Sequence, residues 1–160
     1  MENTTLAYAA GLMDGEGTIT MTKRGKSRPN EKRQPAVSIT STSPELLSWM
    51  VENFGGNVRK HKTYSTRHRR HGSWRLNGSK AIAFLAAIET YLRETEKTRR
   101  ARLLVNRYAL VTPRNGKYTP EMEEKLKGLE TEFFSFSRSP ALNMVDPREN
   151  RTPGPQRSQD

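Results

Sequence analysis

The stretch TTLAYAAGLMDGEGTIT, residues 4–20, decides which fold we expect for this chain. A run of small and apolar residues that is typical of a helix leads into Glu16, and a strand-like alternation follows without a linker. The flanking Gly15 and Gly17 allow the backbone to leave helical geometry there. Four residues share one helix face at spacings of three and four: Ala7, Ala10, Gly11 and Asp14. This face has almost no side-chain bulk, so we expect another helix to pack closely against it.

Two strand pairs are indicated by the alternation of polar and apolar residues. The first pair is TITMTKR (18–24) with AVSITST (36–42), and the second is NVRKHKTYS (57–65) with GSWRLN (72–77). Successive side chains of a strand point to opposite faces, so each hairpin has one apolar face. The residues predicted to face the core are Ile19, Met21, Val37, Ile39, Val58, Trp74 and Leu76.

Helices are predicted between and after the strands. Ser43 is an N-cap residue and Pro44 suits the first turn, so a helix is expected from here to about Phe54, where two glycines stop it. The further predicted helices cover residues 79–92, residues 97–111 and a segment that begins at Thr119.

The order of these elements is αββαββα followed by additional helices. Each strand has only one apolar side, so the prediction is an α+β fold with a four-stranded antiparallel sheet and helices packed on one face. We expect a single domain over residues 1–136. From about residue 137 onward, prolines interrupt a polar sequence without periodicity, and residues 137–160 are predicted to be a disordered tail.

The charge distribution points to a polyanionic partner. The chain has 28 Lys and Arg against 17 Asp and Glu, a formal net charge of +11. Residues 18–75 alone hold 13 of these basic residues and three glutamates, so the excess lies in the predicted sheet region. Nucleic acid is therefore the expected partner.

Composition also excludes several classes of protein. There is no cysteine, which rules out disulfides and thiolate zinc sites. The longest apolar run, residues 81–88, is too short to span a bilayer, and no secretory signal pattern begins the sequence. We expect no membrane partner and an intracellular location in a compartment that contains DNA, either a prokaryotic cytoplasm or an organelle.

Residues 9–17, AAGLMDGEG, resemble the LAGLIDADG signature of homing endonucleases. This resemblance implies the αββαββα architecture of that family, with a saddle-shaped sheet and two copies of the first helix packed together. The chain has one copy of the motif and no internal repeat, so the resemblance implies a homodimer. It also implies that Glu16, which stands where the motif has its last Asp, binds a divalent metal, Mg²⁺ or Mn²⁺, with the carbonyl of Gly15 as a further ligand.

Two more catalytic residues are implied by the same resemblance. The family places a lysine near the metal-bound water, and Lys97 fits this position, although the register could shift to Arg93 or Arg99. A polar residue that holds water normally follows the second strand, and this position falls on Ser43. Both residues also have structural interpretations, because Lys97 could belong to a salt-bridged helix surface and Ser43 is an expected N-cap.

The outer face of the two hairpins is the predicted DNA-reading surface, since a two-stranded ribbon fits the major groove. The candidate DNA-binding residues are Thr18, Thr20, Thr22, Arg24, Lys26, Arg28, Gln34, Ser38, Thr40, Asn57, Arg59, His61, Ser73 and Arg75. Phosphate contacts are expected from loops and strand margins, namely from Lys26, Arg28, Lys32, Arg33, Lys60, Lys62, Arg67, Arg69 and Arg70.

The expected function is that of an intron-encoded, site-specific endonuclease that cuts a long near-palindromic DNA site as a homodimer. One alternative is a binder on the same fold that does not cut, either an RNA maturase whose partner is intron RNA or a DNA-binding regulator. Another is a basic RNA-binding protein of ribosomal type, which would leave the helix face of small residues unexplained.

Overall fold

A computed structural model of the chain describes residues 2–23, 32–61, 71–113 and 116–136. Its helices and strands follow the predicted order, and single 3₁₀ turns occur at Glu89–Tyr91 and Tyr108–Leu110. The main elements are α1 (Asn3–Glu16), β1 (Gly17–Thr22), β2 (Gln34–Ser41), α2 (Pro44–Phe54), β3 (Asn57–Lys60), β4 (Gly72–Asn77), α3 (Ser79–Ile88), α4 (Thr95–Arg107) and α5 (Pro120–Ser135).

The four strands form one antiparallel sheet in the order β1-β2-β4-β3. The central pair is therefore made by the second strand of each hairpin, and β1 and β3 are the two edges. This arrangement confirms the predicted α+β fold with a four-stranded antiparallel sheet. The register aligns Thr18, Ser38, Arg75 and Asn57 in one row across all four strands.

The apolar face of the sheet is buried under the helices, as the alternation predicted. Ile19, Val37 and Ile39 are at most 1% exposed, and Trp74 is completely buried. Val58 differs from the prediction, because its side chain is 39% exposed. It pairs with Trp74 on the inner side, but it belongs to β3, the edge strand, where no further strand covers it.

The capping residues confirm two predicted helix starts. The Oγ of Ser43 accepts a hydrogen bond from the backbone N–H of Leu46 at 3.2 Å, with Pro44 in the first turn of α2. Thr119 caps α5 in the same way, through the N–H of Met122. Each side-chain oxygen satisfies a backbone donor that has no partner within the helix.

The start of α4 differs from the prediction by two residues. Glu94 is the N-cap, and its two carboxylate oxygens accept the backbone N–H groups of Glu96 at 3.0 Å and Lys97 at 2.6 Å. A glutamate is not among the usual N-cap residues, which is why the sequence did not reveal this start. Lys97 consequently lies in the first turn of the helix.

The last helix completes the layer on the covered side of the sheet. Leu126, Leu129 and Phe133 of α5 are at most 1% exposed, as their spacing along one stripe predicted. The expected tail over residues 137–160 lies outside the described residues. Within the residues that are described, no helix has the length and apolar character needed to cross a membrane.

Candidate active site and nucleic-acid interface

The junction between α1 and β1 holds the carboxylate that the sequence singled out. Glu16 ends the helix, and Gly17 is both its C-cap and the first residue of the strand. A Cβ at Gly17 would lie 2.6 Å from the Cα and from the carbonyl oxygen of Met13, so only glycine fits here. Gly17 is buried, whereas Glu16 is exposed at the end of α1, directly before the edge strand β1.

The two acids of this segment have different surroundings. The carboxylate of Asp14 accepts the backbone N–H of Arg93 at 2.8 Å and that of Glu94 at 3.2 Å. Glu16, by contrast, makes no side-chain hydrogen bond or ion pair with any other described residue. The carboxylate of Asp14 therefore binds the segment before α4 of its own subunit, and the place of Asp14 in a dimer interface stays a prediction.

Lys97 reaches the end of α1. Its ammonium group donates to the carbonyl oxygens of Met13 at 2.8 Å and Asp14 at 2.6 Å. The carbonyl end of a helix carries partial negative charge, which favours a cation at this place. Of the three candidates in the sequence register, Lys97 is the one whose side chain hydrogen-bonds the motif helix, while Arg93 and Arg99 are exposed.

Ser43 is engaged in the start of α2. Besides accepting from Leu46, its hydroxyl donates to the carboxylate of Glu45 at 2.9 Å. The backbone amide of Glu45 and then the hydroxyl of Ser43 lower the pKa of this carboxyl below its usual value, although Glu45 is fully exposed. The structural interpretation of Ser43 is thus confirmed, and its water-holding role stays a prediction.

One face of α1 has no partner within the described subunit. Ala7, Gly11 and Gly15 are exposed, and we call these three residues the thin face of α1. A Cβ added at Gly11 or Gly15 would meet no heavy atom within 4 Å. Ala10 was predicted to belong to this face, but it is completely buried, because the helix turns Ala10 towards its own core.

The outer face of the sheet carries the predicted polar side chains. Arg75 extends from β4 across β2 and donates from Nη2 to the Oγ1 of Thr22 on β1 at 3.0 Å, and from Nε to the Oδ1 of Asn77 at 3.0 Å. Ser73 hydrogen-bonds Thr40 at 2.7 Å and the ring of His61 at 2.8 Å. The predicted outward residues that the structure describes are Thr18, Thr20, Thr22, Gln34, Ser38, Thr40, Asn57, Arg59, His61, Ser73 and Arg75.

The charge of this face is positive. The four strands contain no Asp or Glu, while Arg59 and Arg75 are exposed on this face. Three of the predicted DNA contacts, Arg24, Lys26 and Arg28, lie outside the described residues, as do the predicted phosphate contacts Lys62, Arg67, Arg69 and Arg70.

Two basic residues at the start of β2 have partners on α5. Lys32 forms an ion pair with Glu123 at 2.8 Å, and Arg33 lies 3.5 Å from Glu130 and packs over the ring of Phe134. Arg33 also donates to the carbonyl of Met21 at 3.2 Å. In this structure both residues connect the first hairpin to the last helix, and their predicted contacts with phosphates stay a prediction.

No protein-family model and no curated protein sequence matches this chain. Solved structures do match it. The homing endonuclease I-CvuI in complex with its target is 16% identical at a TM-score of 0.64, over 85% of this chain and 83% of that one. The archaeal intron-encoded homing endonuclease I-Vdi141I, complexed with DNA, is 18% identical at a TM-score of 0.56, over 91% of each chain.

A third match carries the signature in its description. The LAGLIDADG homing endonuclease I-LtrWI, bound to target DNA, is 17% identical at a TM-score of 0.57, over 82% of this chain and 45% of that one. The chain has the LAGLIDADG homing endonuclease fold. The resemblance that rested on residues 9–17 is confirmed at the level of the fold, and the four-stranded sheet with its helices is the matching architecture.

Sequence reasoning missed three contacts within this LAGLIDADG fold. These are the binding of Asp14 to residues 93–94, the hydrogen bond of Arg75 to Asn77, and the hydrogen bond of Arg100 to the carbonyl of Ile19. Arg100 donates to the carbonyl of Ile19 at 3.1 Å and pairs with Glu96 at 2.7 Å. The pair with Glu96 was not missed, because it belongs to the salt-bridged helix surface that the sequence offered as the structural interpretation of Lys97.

Proposed function

We propose that this protein is a site-specific endonuclease that cuts double-stranded DNA as a homodimer and requires a divalent metal, Mg²⁺ or Mn²⁺. One observation carries the proposal above the others. Glu16 is an exposed carboxylate at the junction of α1 and β1, on a helix whose thin face is left open at Gly11 and Gly15. The LAGLIDADG fold and the positive outer face of the sheet support the same function.

The thin face supports twofold pairing. A glycine in a helix interior costs about 1 kcal/mol relative to alanine, and nothing within the described subunit requires glycine at positions 11 and 15. A second copy of α1 at close range would account for both. The chain has a single motif and spans 45% of I-LtrWI, a proportion that suits two such units in that longer protein. The cleaved site is then expected to be near-palindromic.

The donors near Glu16 suit a hard cation. Carboxylate and backbone carbonyl oxygens are the ligands that Mg²⁺ prefers, and Glu16 with the carbonyl of Gly15 would hold the ion. No group of three or more His, Cys, Asp or Glu that could hold a metal occurs among the described residues of one subunit. The second copy is therefore needed to bring a second Glu16 to the site. When bound, the metal supplies an activated water and stabilises charge on the scissile phosphate.

The remaining residues bind the duplex and offset its charge. Lys97 places an ammonium group at the end of α1, beside the segment that carries Glu16, where it would offset negative charge that develops on the phosphate. The outer face of the sheet would lie in the major groove, with Arg59 and Arg75 towards guanine edges and Gln34 and Asn57 towards adenine. The threonines can contact base edges or thymine methyl groups.

The deciding experiment is cleavage of a library of near-palindromic duplexes with Mg²⁺, with and without a chelator. The wild type is expected to give discrete double-strand products that disappear with the chelator. The variant Glu16→Gln, which keeps the size of the side chain and removes its charge, is expected to bind the same duplexes without cutting them. Unchanged cutting by this variant would refute the role of Glu16, and tight binding without products by the wild type would favour a binder that does not cut.

A further inference from the structure

The segment before α4 is bound by a carboxylate from α1. Both oxygens of Asp14 are occupied, one by the N–H of Arg93 and the other by the N–H of Glu94. Hydrogen bonds from backbone N–H groups to an ionised carboxylate are among the stronger ones in proteins. Asp14 is partly buried, and its hydrogen bond with Glu94 is partly shielded from water, whereas the one with Arg93 is exposed. The carboxylate therefore fixes where the chain enters α4.

A second set of bonds runs in the opposite direction. The ammonium of Lys97 donates to the carbonyls of Met13 and Asp14, so residues 13–14 and residues 93–97 each hold the other. We call this pair of segments with its four hydrogen bonds the clasp. Glu94 connects its two halves, because its backbone N–H binds Asp14 while its carboxylate accepts the backbone N–H of Lys97 at 2.6 Å.

Lys97 depends on this arrangement for its position. A lysine side chain has a flexible four-carbon stem, so the place of its ammonium is set by what its backbone and its terminal group contact. The backbone of Lys97 is fixed through Glu94, which is in turn fixed by Asp14. Loss of the Asp14 carboxylate would release both N–H groups of residues 93–94 and loosen the start of α4.

We infer that Asp14 is a positioning residue that acts through the start of α4 and holds the Lys97 ammonium against the end of α1. The two acids of the motif segment thus have separate roles. Asp14 holds the start of α4 through hydrogen bonds, and Glu16 remains exposed. The consequence for cleavage rests on the proposed function. The existence of the clasp does not, and it can be measured without DNA.

The first test measures how fast an acetylating reagent modifies Lys97, by mass spectrometry of the whole purified protein without nucleic acid. Asp14→Ala is expected to raise the rate at Lys97 at least threefold and to leave the exposed Lys80 of α3 unchanged. Asp14→Asn, which keeps one acceptor oxygen, should give an intermediate rate. Glu52→Ala, which removes an exposed carboxylate of α2, is the matched control and should change neither lysine.

Equal modification of Lys97 in the wild type and in Asp14→Ala would overturn the inference. Circular dichroism establishes whether each variant is folded. If Asp14→Ala does not fold, the comparison of Asp14→Asn with the wild type decides in the same way, because one hydrogen bond is lost and the size of the side chain is kept.

The second test compares single-turnover cleavage with binding, on a duplex that the wild type cuts. Asp14→Ala is expected to slow cleavage at least tenfold with less than a threefold change in Kd, and Asp14→Asn should restore part of the rate. The double variant Asp14→Ala/Lys97→Ala should be no slower than Lys97→Ala alone, since both changes remove the same interaction. If Asp14→Ala slowed cleavage by the same factor in the Lys97→Ala background as in the wild type, the inference would be contradicted. If the wild type cuts no duplex, the proposed function fails while the modification rates still decide on the clasp.

Discussion

Gly17 and Met13 are in such close contact that no side chain fits between them. A Cβ at Gly17 would lie 2.6 Å from the Cα, the carbonyl oxygen and the sulfur of Met13. The backbone angle φ of Gly17 is −86°, which any residue adopts, so the need for glycine is steric. This contact lets β1 begin directly after α1 and leaves Glu16 at the exposed turn between them.

The substitution Gly17→Ala is therefore expected to destabilise the protein. Two of the three atoms that the new methyl group would meet belong to the backbone of α1, so the helix end must shift, at a cost of about 1–3 kcal/mol. Urea unfolding followed by circular dichroism measures this loss. Gly128→Ala is the matched control, because its Cβ would meet nothing within 4 Å and should stabilise α5 by up to about 1 kcal/mol. Equal stability of the two variants would contradict the steric account.

Much of the fold follows from local patterns that the sequence carries. The alternation at Ile19, Val37 and Ile39 predicted their burial, and the Ser43-Pro44 signal predicted the start of α2. Gly15 was expected to let the backbone leave helical geometry, but this residue still belongs to the helix α1. The burial of Ala10 depends on what α1 packs against, which the spacing of small residues does not specify.

The contacts that order the candidate site join distant parts of the chain. Asp14 and Glu94 are 80 residues apart. The same holds outside the site, where Arg33 pairs with Glu130, almost 100 residues later in the chain. No periodicity or capping rule relates such positions, so the sequence could place these residues on helices and strands but could not pair them. Lys97 was located through the family resemblance, and its hydrogen bonds to α1 required the structure.

Enlarging the thin face is expected to prevent dimerisation and leave the subunit folded. Gly11→Gln adds a long side chain where another copy of α1 would pack, while the open space around Gly11 accepts it within one subunit. Sedimentation velocity should show only monomers at concentrations where the wild type is a dimer, and cleavage should be lost with it. The control Gly128→Gln alters an equally open helical glycine away from α1 and should preserve the dimer. A dimer of normal strength in Gly11→Gln would refute the proposed interface.

Replacing Arg75 is expected to lower both the affinity for the duplex and the preference for one base pair. Its guanidinium lies over the outer face between Thr22 and Asn77, so it can form paired hydrogen bonds to one guanine. Arg75→Ala should cost about 1–3 kcal/mol of binding free energy and lower the preference at one base pair in each half-site. Competition binding with singly substituted duplexes, in the Glu16→Gln background, measures both. The control Lys80→Ala alters a residue on the opposite side of the sheet and should leave the base preference unchanged. If Arg75→Ala also left it unchanged, Arg75 would not be a residue that reads the DNA sequence.

Tyr118 is expected to make the protein less stable at alkaline pH. Its partial burial raises the pKa of the hydroxyl above its usual value, an effect that the nearby Lys32 opposes. A raised pKa means that the folded state retains the proton longer than the unfolded chain. This contribution is therefore fully present below the unfolded value of about 10 and is lost as the pH rises through the folded value. Urea unfolding between pH 8 and pH 11 should show a smaller decline for Tyr118→Phe than for the wild type, whereas Tyr8→Phe, at a more exposed ring, should follow the wild type. If the free energy of unfolding of Tyr118→Phe declined as much as that of the wild type, groups other than Tyr118 would cause the loss of stability at alkaline pH.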